Sequence, residues 1–531
     1  MRSGSVERGQ VLEITLESAL TYQDPFWDVD IQVAFTGPSG QRRIVDGFWD
    51  GGSVWRVRFA PNEPGTWHWV TVCSRSNDTG LHAREGSFEC YPYDDSNPLY
   101  RHGRLQLAEN RCYLAWEDGT PFFWMGDTAW NGVLRATAED WDRYLTQRAA
   151  QGFTVIQFVC TQWRGATRVL GSERAFSLGE RIQLHPEFFQ RRDAKVAAVN
   201  AHGLVAAPVM LWALTPEDPG QALPEADAIR LARYLAARWG AYQVVWILGG
   251  DGRYLGEHTE RWCRIGRAVF GGEKERLVTM HPCGQSWVGE AFRGEPWYDI
   301  IGYQSGHGSS DEHLRWLVMG PPARQWRREP TLPVINLEPN YEMHPSYHEA
   351  RVFTDYEVRR AAYWSLLVSP TAGVTYGVNP IWVWAAQEEV PEGHQAIGPV
   401  APWHAGLATP GVQSMRLLHE FFEALPWWQL RPAPEMLAAQ PGQEDPRRFV
   451  AAAKTEDGRL GVIYVPVASP IVLRHEAIPD GSYRWFDPRR GAWEASGVLS
   501  SGKNTFTPPG DGDWLLCLGM VDRLGSARQE R

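Results

Sequence analysis

The chain has no run of 18 apolar residues, and its beginning, MRSGSVERGQVLEITLE, has no apolar h-region, so nothing reads as a membrane span or an export signal. Cytoplasmic residence is the expectation. Cysteine is scarce: seven in 531 residues (Cys73, Cys90, Cys112, Cys160, Cys263, Cys283 and Cys517), scattered and without any C-x-x-C spacing. That pattern excludes a disulfide framework and reads as reduced thiols. An excess of positive charge is also missing, since 52 basic residues against 63 acidic ones leave a net charge of −11. Neither a nucleic-acid backbone nor an anionic membrane surface suits such a chain as partner. Gly249-Gly250 and Gly271-Gly272 are isolated pairs, and no phosphate loop or dinucleotide fingerprint occurs, so no nucleotide cofactor is expected. Asn77-Asp78-Thr79 fits a glycosylation sequon, but without an export signal it reads as chance.

What the chain does have is apolar and aromatic material. A hydrophobic content of 43% excludes a disordered chain, and the length calls for more than one core. Tryptophan is the outlier, at 27 residues. Indole rings fill cores and also stack on the apolar faces of sugars, so the excess points to carbohydrate only where it gathers at a site.

Three pieces are expected. Residues 1–95 alternate as strands do, in DVDIQVAF, VWRVRFA and TWHWVTV, with turns at GPSG, DGG and NEPG, and predict a β-sandwich. Residues 428–531 predict a second one, from RFVAAAKTEDGRLGVIYVPV, YRWFDPRRGAW and DWLLCLG with a hairpin signal at Glu456-Asp457-Gly458. Between them, over 96–427, short apolar strands alternate with helical patterns. Eight strands are read: PFFWMGDTAW, FTVIQFVCTQW, LVAAPVMLW, VVWILGGD, RLVTMHPCG, DIIGYQSGH, LPVINLEPNYE and AGVTYGVNPIW. Eight strand-helix units over roughly 300 residues match a (β/α)8 barrel, with an open doubly wound sheet as the alternative.

Barrels of this kind carry their active sites at the carboxyl ends of the strands. Strand one ends in Asp127 and Trp130, strand two in Gln157 through Trp163 and Arg164, and strand three in Trp212. Strand four ends in Gly249-Gly250-Asp251, and strand five in His281. Strand six ends in Gln304 and His307, strand seven in Glu338 and Tyr341, and strand eight in Tyr376, Asn379 and Trp382. The two glycines before Asp251 are expected to allow a tight backbone turn. Aspartate after glycine at a strand-helix junction also serves as a helix cap, whereas glutamate at the end of VINL is neither a favoured cap nor a common occupant of a buried strand end.

Two carboxylates, from strands four and seven, are therefore expected to face each other across the mouth, as hydrolysis of a glycosidic bond through a glycosyl-enzyme intermediate requires. With donors around it, Glu338 is assigned as nucleophile. Asp251 then titrates higher and is assigned as general acid and base, the reversed roles remaining open. Asp127 reads equally as a cap or turn residue and as a sugar-binding carboxylate. Trp130, Trp163, Trp212 and Trp382 are candidate platforms for sugar rings. No metal is expected: His344 and His348 with Glu342 lack the H-E-x-x-H arrangement, and Pro345 lies between the histidines.

PFFWMGDTAW, RYLTQRAAQGFTVIQ, VVWILGGD, QSGH, VINLEPNYE and RRAAYWSLLVSPTAGVTYGVNPIW, in this order, resemble the apiosidase-like family of bacterial barrel hydrolases, glycoside hydrolase family 140 and its relatives. FWDVDIQVAF and FAPNEPGTWHWVTV resemble the β-sandwich domain often found before that barrel, and the last segment a β-domain of collagen-binding type. The resemblance implies a retaining glycosidase in which Asp251 donates the proton and Glu338 attacks the anomeric carbon. It implies plant-derived glycosides or oligosaccharides as substrates, with apiose, arabinofuranose, galactose and glucose units all open. A non-catalytic carbohydrate-binding barrel and an adhesin built on the two sandwiches are the competing readings.

Overall fold

The computed structural model describes residues 2–272, 276–499, 502 and 504–519. The expected end of the last domain, at residue 531, lies outside them.

The amino-terminal strands form two layers, antiparallel except where Arg2–Glu7 runs parallel to Glu85–Tyr91. One layer has five strands, Ile31–Thr36 lying between Arg42–Asp46 and Gly65–Cys73; the other has three, with Val54–Phe59 in the middle. Alternation sends Ile31, Val33 and Phe35 to the same side as Trp67 and Trp69, where they meet Ile14, Leu16, Trp55 and Val57 of the other layer. Phe35 stacks on Phe59 with ring centroids 4.0 Å apart. These tryptophans fill a core and stand away from any sugar site.

In the middle, eight parallel strands close on themselves. They are Trp124–Thr128, Val155–Val159, Val205–Trp212, Val245–Gly252, Leu277–Pro282, Ile301–Gln304, Val334–Glu338 and Gly373–Tyr376, here strands one to eight. Each pairs with its neighbour in sequence, strand eight returns to strand one, and a bridge from Thr279 to Ile300 joins five to six. The fold is a (β/α)8 barrel. Its strands are apolar almost throughout because one face packs inside the barrel and the other under helices. Local signals start those helices. Thr354 and Glu357 form a capping box ahead of Asp355–Val368, and the Thr137 hydroxyl accepts from the Asp140 amide ahead of Ala138–Ala150.

The carboxyl-terminal domain is a six-stranded antiparallel sheet with a two-stranded ribbon, Ile471–Val472 and Thr505–Phe506, as its second layer. Neither face of its central strands, Ala451–Thr455, Leu460–Val465 and Trp514–Gly519, meets water, whereas the edge strand Ala492–Val498 is largely exposed. Ala451, Ala453, Val462, Tyr464, Leu515 and Cys517 pack into the barrel's core, while Ala452, Ile463, Val465, Leu516 and Leu518 pack into the domain's own. This explains why GVIYVPV and WLLCLG read as solid apolar runs rather than alternating ones. Charge ties both flanking domains to the barrel. Arg58 and Arg238 share Asp193, Arg238 also reaches Asp50, and Arg359 grips Asp513 through two contacts of 2.8 Å. All seven cysteines are unpaired, and among the described residues no helix is long and apolar enough to cross a membrane.

Candidate active site

A cavity of about 440 Å³ opens at the carboxyl ends of the barrel strands, within the usual range for small-molecule sites. Asp251 and Glu338 both line it.

Strand seven delivers Glu338 into a ring of donors. Gln304 Nε2 donates to its Oε1 at 2.6 Å, and His307 Nε2 lies 2.9 Å from the same oxygen. Because His307 Nδ1 accepts the Tyr341 amide at 3.3 Å, Nε2 carries the hydrogen and gives it to Glu338. His281 Nε2 approaches the other oxygen, Oε2, at 3.4 Å, too long for a well-directed hydrogen bond. Burial opposes ionisation of Glu338, but His281 and His307 outweigh it and hold the carboxyl well below the ordinary range.

Asp251 sits at the end of strand four in the opposite situation. Burial above all, and then the charge of Glu338, push its carboxyl from 3.8 up to about 6, against smaller opposing effects of His281 and Arg164. Two carboxyls in one cavity are thus set apart, Glu338 losing its charge only in acid and Asp251 holding its proton up to about pH 6.

The glycines before Asp251 act differently from the expected tight turn. Neither Gly249 nor Gly250 has positive φ; the left-handed residue is Asp251 itself, at φ +39°. The glycines are there for close packing. A Cβ on Gly250 would lie 2.4 Å from Val209 Cγ1 and 2.7 Å from the Trp212 ring, and one on Gly249 or Gly252 would strike Tyr254 at 2.6 Å. Strand four is therefore pressed against its neighbours, and the strain of the final turn falls on Asp251, a non-glycine residue in a sparsely populated conformation. Asp251 is no helix cap either, since the next α-helix begins at Thr259.

Around the pair, the residues chosen from sequence separate into three groups. Trp130, Trp163, Trp212, Gln304, His307, Tyr341 and Trp382 line the cavity. The indoles of Trp130 and Trp212 meet edge to face at 5.2 Å, and those of Trp163 and Trp212 lie 4.5 Å apart, so one wall is aromatic. His281 and Asn379 act from behind that wall: His281 packs under Trp130, and Asn379 Oδ1 accepts the Trp382 indole N–H at 2.9 Å.

The third group, Asp127, Gln157 and Tyr376, is not among the lining residues. The Asp127 side chain faces outward, taking hydrogen bonds of 2.6 Å from both Tyr144 and Arg148 on helix Ala138–Ala150. Tyr376 donates to Glu342 at 2.5 Å on the outer side of strand eight. Gln157 bridges inside the barrel from the Leu337 carbonyl to Thr375. In strands one and eight the alternation of sides decided the outcome: Thr128 and Thr375, not Asp127 and Tyr376, point inward.

Arg164, read from sequence at the end of strand two, also lines the cavity, while His344, Tyr347, His348 and His394 line it without having been expected there. His394 lies in the loop beyond strand eight, where no pattern marks it. His344 and His348 were weighed only as metal ligands, and among the described residues no group of three or more His, Cys, Asp or Glu side chains could hold a metal.

Residues 108–429 match the family profile described as "Apiosidase-like, catalytic domain". The chain belongs to the apiosidase-like family. Residues 5–74 match "Domain of unknown function (DUF5060)", and residues 432–519 match "Putative collagen-binding domain of a collagenase". No functionally curated protein matches the chain in a sequence search. Among solved structures, one described as "Glycoside hydrolase" is 22% identical with a TM-score of 0.67, covering 81% of this chain and 99% of its own. A glycoside hydrolase family 5 protein from Bacteroides vulgatus ATCC 8482 is 21% identical with a TM-score of 0.69, covering 81% and 95%. A further protein of that organism, described as a "putative glycoside hydrolase", is 17% identical with a TM-score of 0.70 and covers 97% and 100%, so the likeness of fold extends over all three domains. The apiosidase-like barrel, with its paired carboxylates at the strand ends, is that of a glycosidase.

Proposed function

We propose that the protein is a retaining glycosidase that works by double displacement, with Glu338 as nucleophile and Asp251 as general acid and base. In the first step a Glu338 oxygen bonds to the anomeric carbon while the bond from that carbon to the leaving oxygen breaks. The Asp251 proton passes to the departing oxygen. In the second step Asp251, now a carboxylate, takes a proton from water, whose oxygen displaces Glu338 from the anomeric carbon.

The observation that carries this reading is the opposite setting of two carboxyls that line one cavity: Glu338 lies among donors that favour its charge, whereas burial and the charge of Glu338 make Asp251 hold its proton to higher pH, up to about 6. Unfilled polar atoms supply the means to recognise a sugar. The Trp212 indole nitrogen, Gln304 Oε1 and Arg164 Nη1 are buried at the cavity and have no hydrogen-bond partner among the described residues. Hydroxyl groups of a sugar would satisfy them, and the aromatic wall of Trp130, Trp163 and Trp212 offers faces for the ring's C–H groups.

The family description favours apiosides and similar plant-derived glycosides as substrates, and the cavity volume suits a small glycone. Unpaired thiols support work in a reducing compartment, on short glycosides rather than intact polymer. A panel of aryl furanosides and pyranosides identifies the glycone. With the best of them, Glu338→Ala is expected to abolish aglycone release while the free sugar still binds, and proton NMR of the first product is expected to show the anomeric configuration of the substrate. Undiminished turnover in that variant, or an inverted first product, overturns the assignment.

A further inference from the structure

Arg164 stands at the start of the loop after strand two, held by one backbone contact and four contacts of its side chain. Its backbone N–H donates to Asp218 Oδ1 at 3.0 Å, and Nη1 lies 3.6 Å from Asp218 Oδ2. Nη2 lies 3.0 Å from His394 Nε2. The guanidinium carbon rests over the rings of Trp163 and Trp212, at 5.5 and 5.8 Å from their centroids. The His394 ring has Nδ1 3.0 Å from the Glu392 carbonyl and so donates there, leaving Nε2 as the acceptor for Arg164. Burial supports that tautomer by lowering the imidazole to about 4, so His394 is neutral at working pH. A long, flexible cation is thereby held in one place. That place puts Nη2 3.7 Å from Asp251 Oδ2.

We propose that Arg164 is a positioning residue for the reaction: clamped by Asp218, His394 and two indoles, it orients the Asp251 carboxyl toward the leaving oxygen and sets the alkaline edge of activity. The inference rests on the assignment of Asp251 as general acid. Groups facing Asp251 come from several elements: Glu338 from strand seven, His281 from strand five, Asp218 from the loop after strand three, and Tyr254, Cys283 and Tyr347 nearby. Burial and the two carboxylates favour the protonated form, whereas Arg164 and His281 favour the ionised one. Arginine stays charged throughout the working range, so its effect on Asp251 is constant. Without it, the acid would hold its proton to higher pH. With it, the group is acidic enough to give the proton up and later to act as base.

The test is the pH dependence of kcat/KM on the aryl glycoside that turns over best, for wild type, Arg164→Gln, Arg164→Met and Arg164→Lys, each checked for folding by circular dichroism and thermal unfolding. Both neutral variants are expected to move the alkaline limb upward by about one pH unit, while Arg164→Lys, which keeps the charge, leaves it near the wild-type position. Arg164→Met retains an apolar stem against the indoles, so it reports even where the glutamine variant is poorly folded. A folded neutral variant with reduced kcat/KM and an unmoved alkaline limb overturns the inference and leaves Arg164 as a substrate contact or a strut with no part in positioning Asp251. Asp251→Asn, assayed on a dinitrophenyl glycoside that needs no protonation, separates the two levels. Loss of the alkaline limb there supports the acid assignment. Survival of the wild-type limb there refutes that assignment and this inference together, whereas loss of the limb alongside an unmoved Arg164→Gln profile refutes the inference alone.

Discussion

Replacing each carboxylate at the mouth by its amide should move stability in opposite directions at neutral pH, and this needs no substrate to observe. Asp251 titrates near its ordinary 3.8 when unfolded and near 6 when folded. The native state therefore binds this proton more tightly than the unfolded chain, and the stability that follows is complete below about pH 4 and lost as pH rises through 6. A displacement of about two decades is worth ~3 kcal/mol at 1.36 kcal/mol each. Part of it belongs to the repulsion by Glu338, and the unfolded ensemble shares a little of it, so Asp251→Asn should gain roughly 1–3 kcal/mol at pH 7.5 and nothing at pH 4. Glu338 has the reverse sign. Its folded titration is depressed, so its contribution is present above the unfolded value and lost as pH falls, and Glu338→Gln should destabilise at pH 7.5. The amide also places an N–H or a weaker acceptor against Gln304 and His307. Thermal and urea melts followed by tryptophan fluorescence at both pH values measure the two shifts, and the double variant measures their coupling. An Asp251→Asn protein no more stable than wild type at pH 7.5 would mean that the carboxyl is already solvated or that Glu338 is not its neighbour in charge, and the division of roles would fall with it.

Three further outcomes follow from the same geometry. The kcat/KM of wild type should decline on its alkaline side with a midpoint near pH 6, the value to which Asp251 is pushed; a limb governed by a group near pH 8 would assign the proton donor elsewhere. Asp127→Ala should destabilise by about 3–5 kcal/mol, because it strands the fully buried Arg148, while leaving KM unchanged in the folded fraction. A raised KM with unaltered melting would return Asp127 to the sugar site. Gly250→Ala should destabilise by about 1–3 kcal/mol and lower kcat about a hundredfold, since a methyl 2.4 Å from Val209 displaces the strand that carries Asp251; crystals or spectra showing an undisturbed strand with full activity would contradict the packing reading.

Much of this site was legible before folding, for identifiable reasons. The rhythm of apolar strands and helical patterns predicted the barrel because hydrogen bonding and burial force both periodicities on the chain. Glu338 stood out because a glutamate that ends a solid apolar run has few structural uses, and Asp251, which alone reads as a helix cap, gained its role as the other half of a pair. Trp130, Trp163, Trp212 and Trp382 were recoverable from their positions just past strand ends. Asp127 and Tyr376 were not distinguishable from cavity residues by the same logic, since a strand buried on both faces shows no alternation from which to read the side a given residue takes. A partial signal did exist for Asp127: Tyr144 and Arg148 stand four apart on one helix face, a pair suited to hold an outward-facing carboxylate. The crowding at Gly249, Gly250 and Gly252 comes from Val209, Trp212 and Tyr254, and only assembly brings the first two to strand four.

Composition and local pattern alone determined that this chain folds as a barrel between two β-domains and offers one carboxylate from strand four and one from strand seven. Those are consequences of periodicity, and periodicity is written residue by residue. The sequence favoured Glu338 as the charged one and left the reverse open; tertiary structure supplies the groups that set the two apart. That division depends on His281, His307 and Gln304 converging on one carboxyl and leaving the other to burial, and on Arg164 being pinned against Asp218 and His394. Electrostatic energies fall with distance through space, and space between residues far apart in sequence exists only once the barrel has closed.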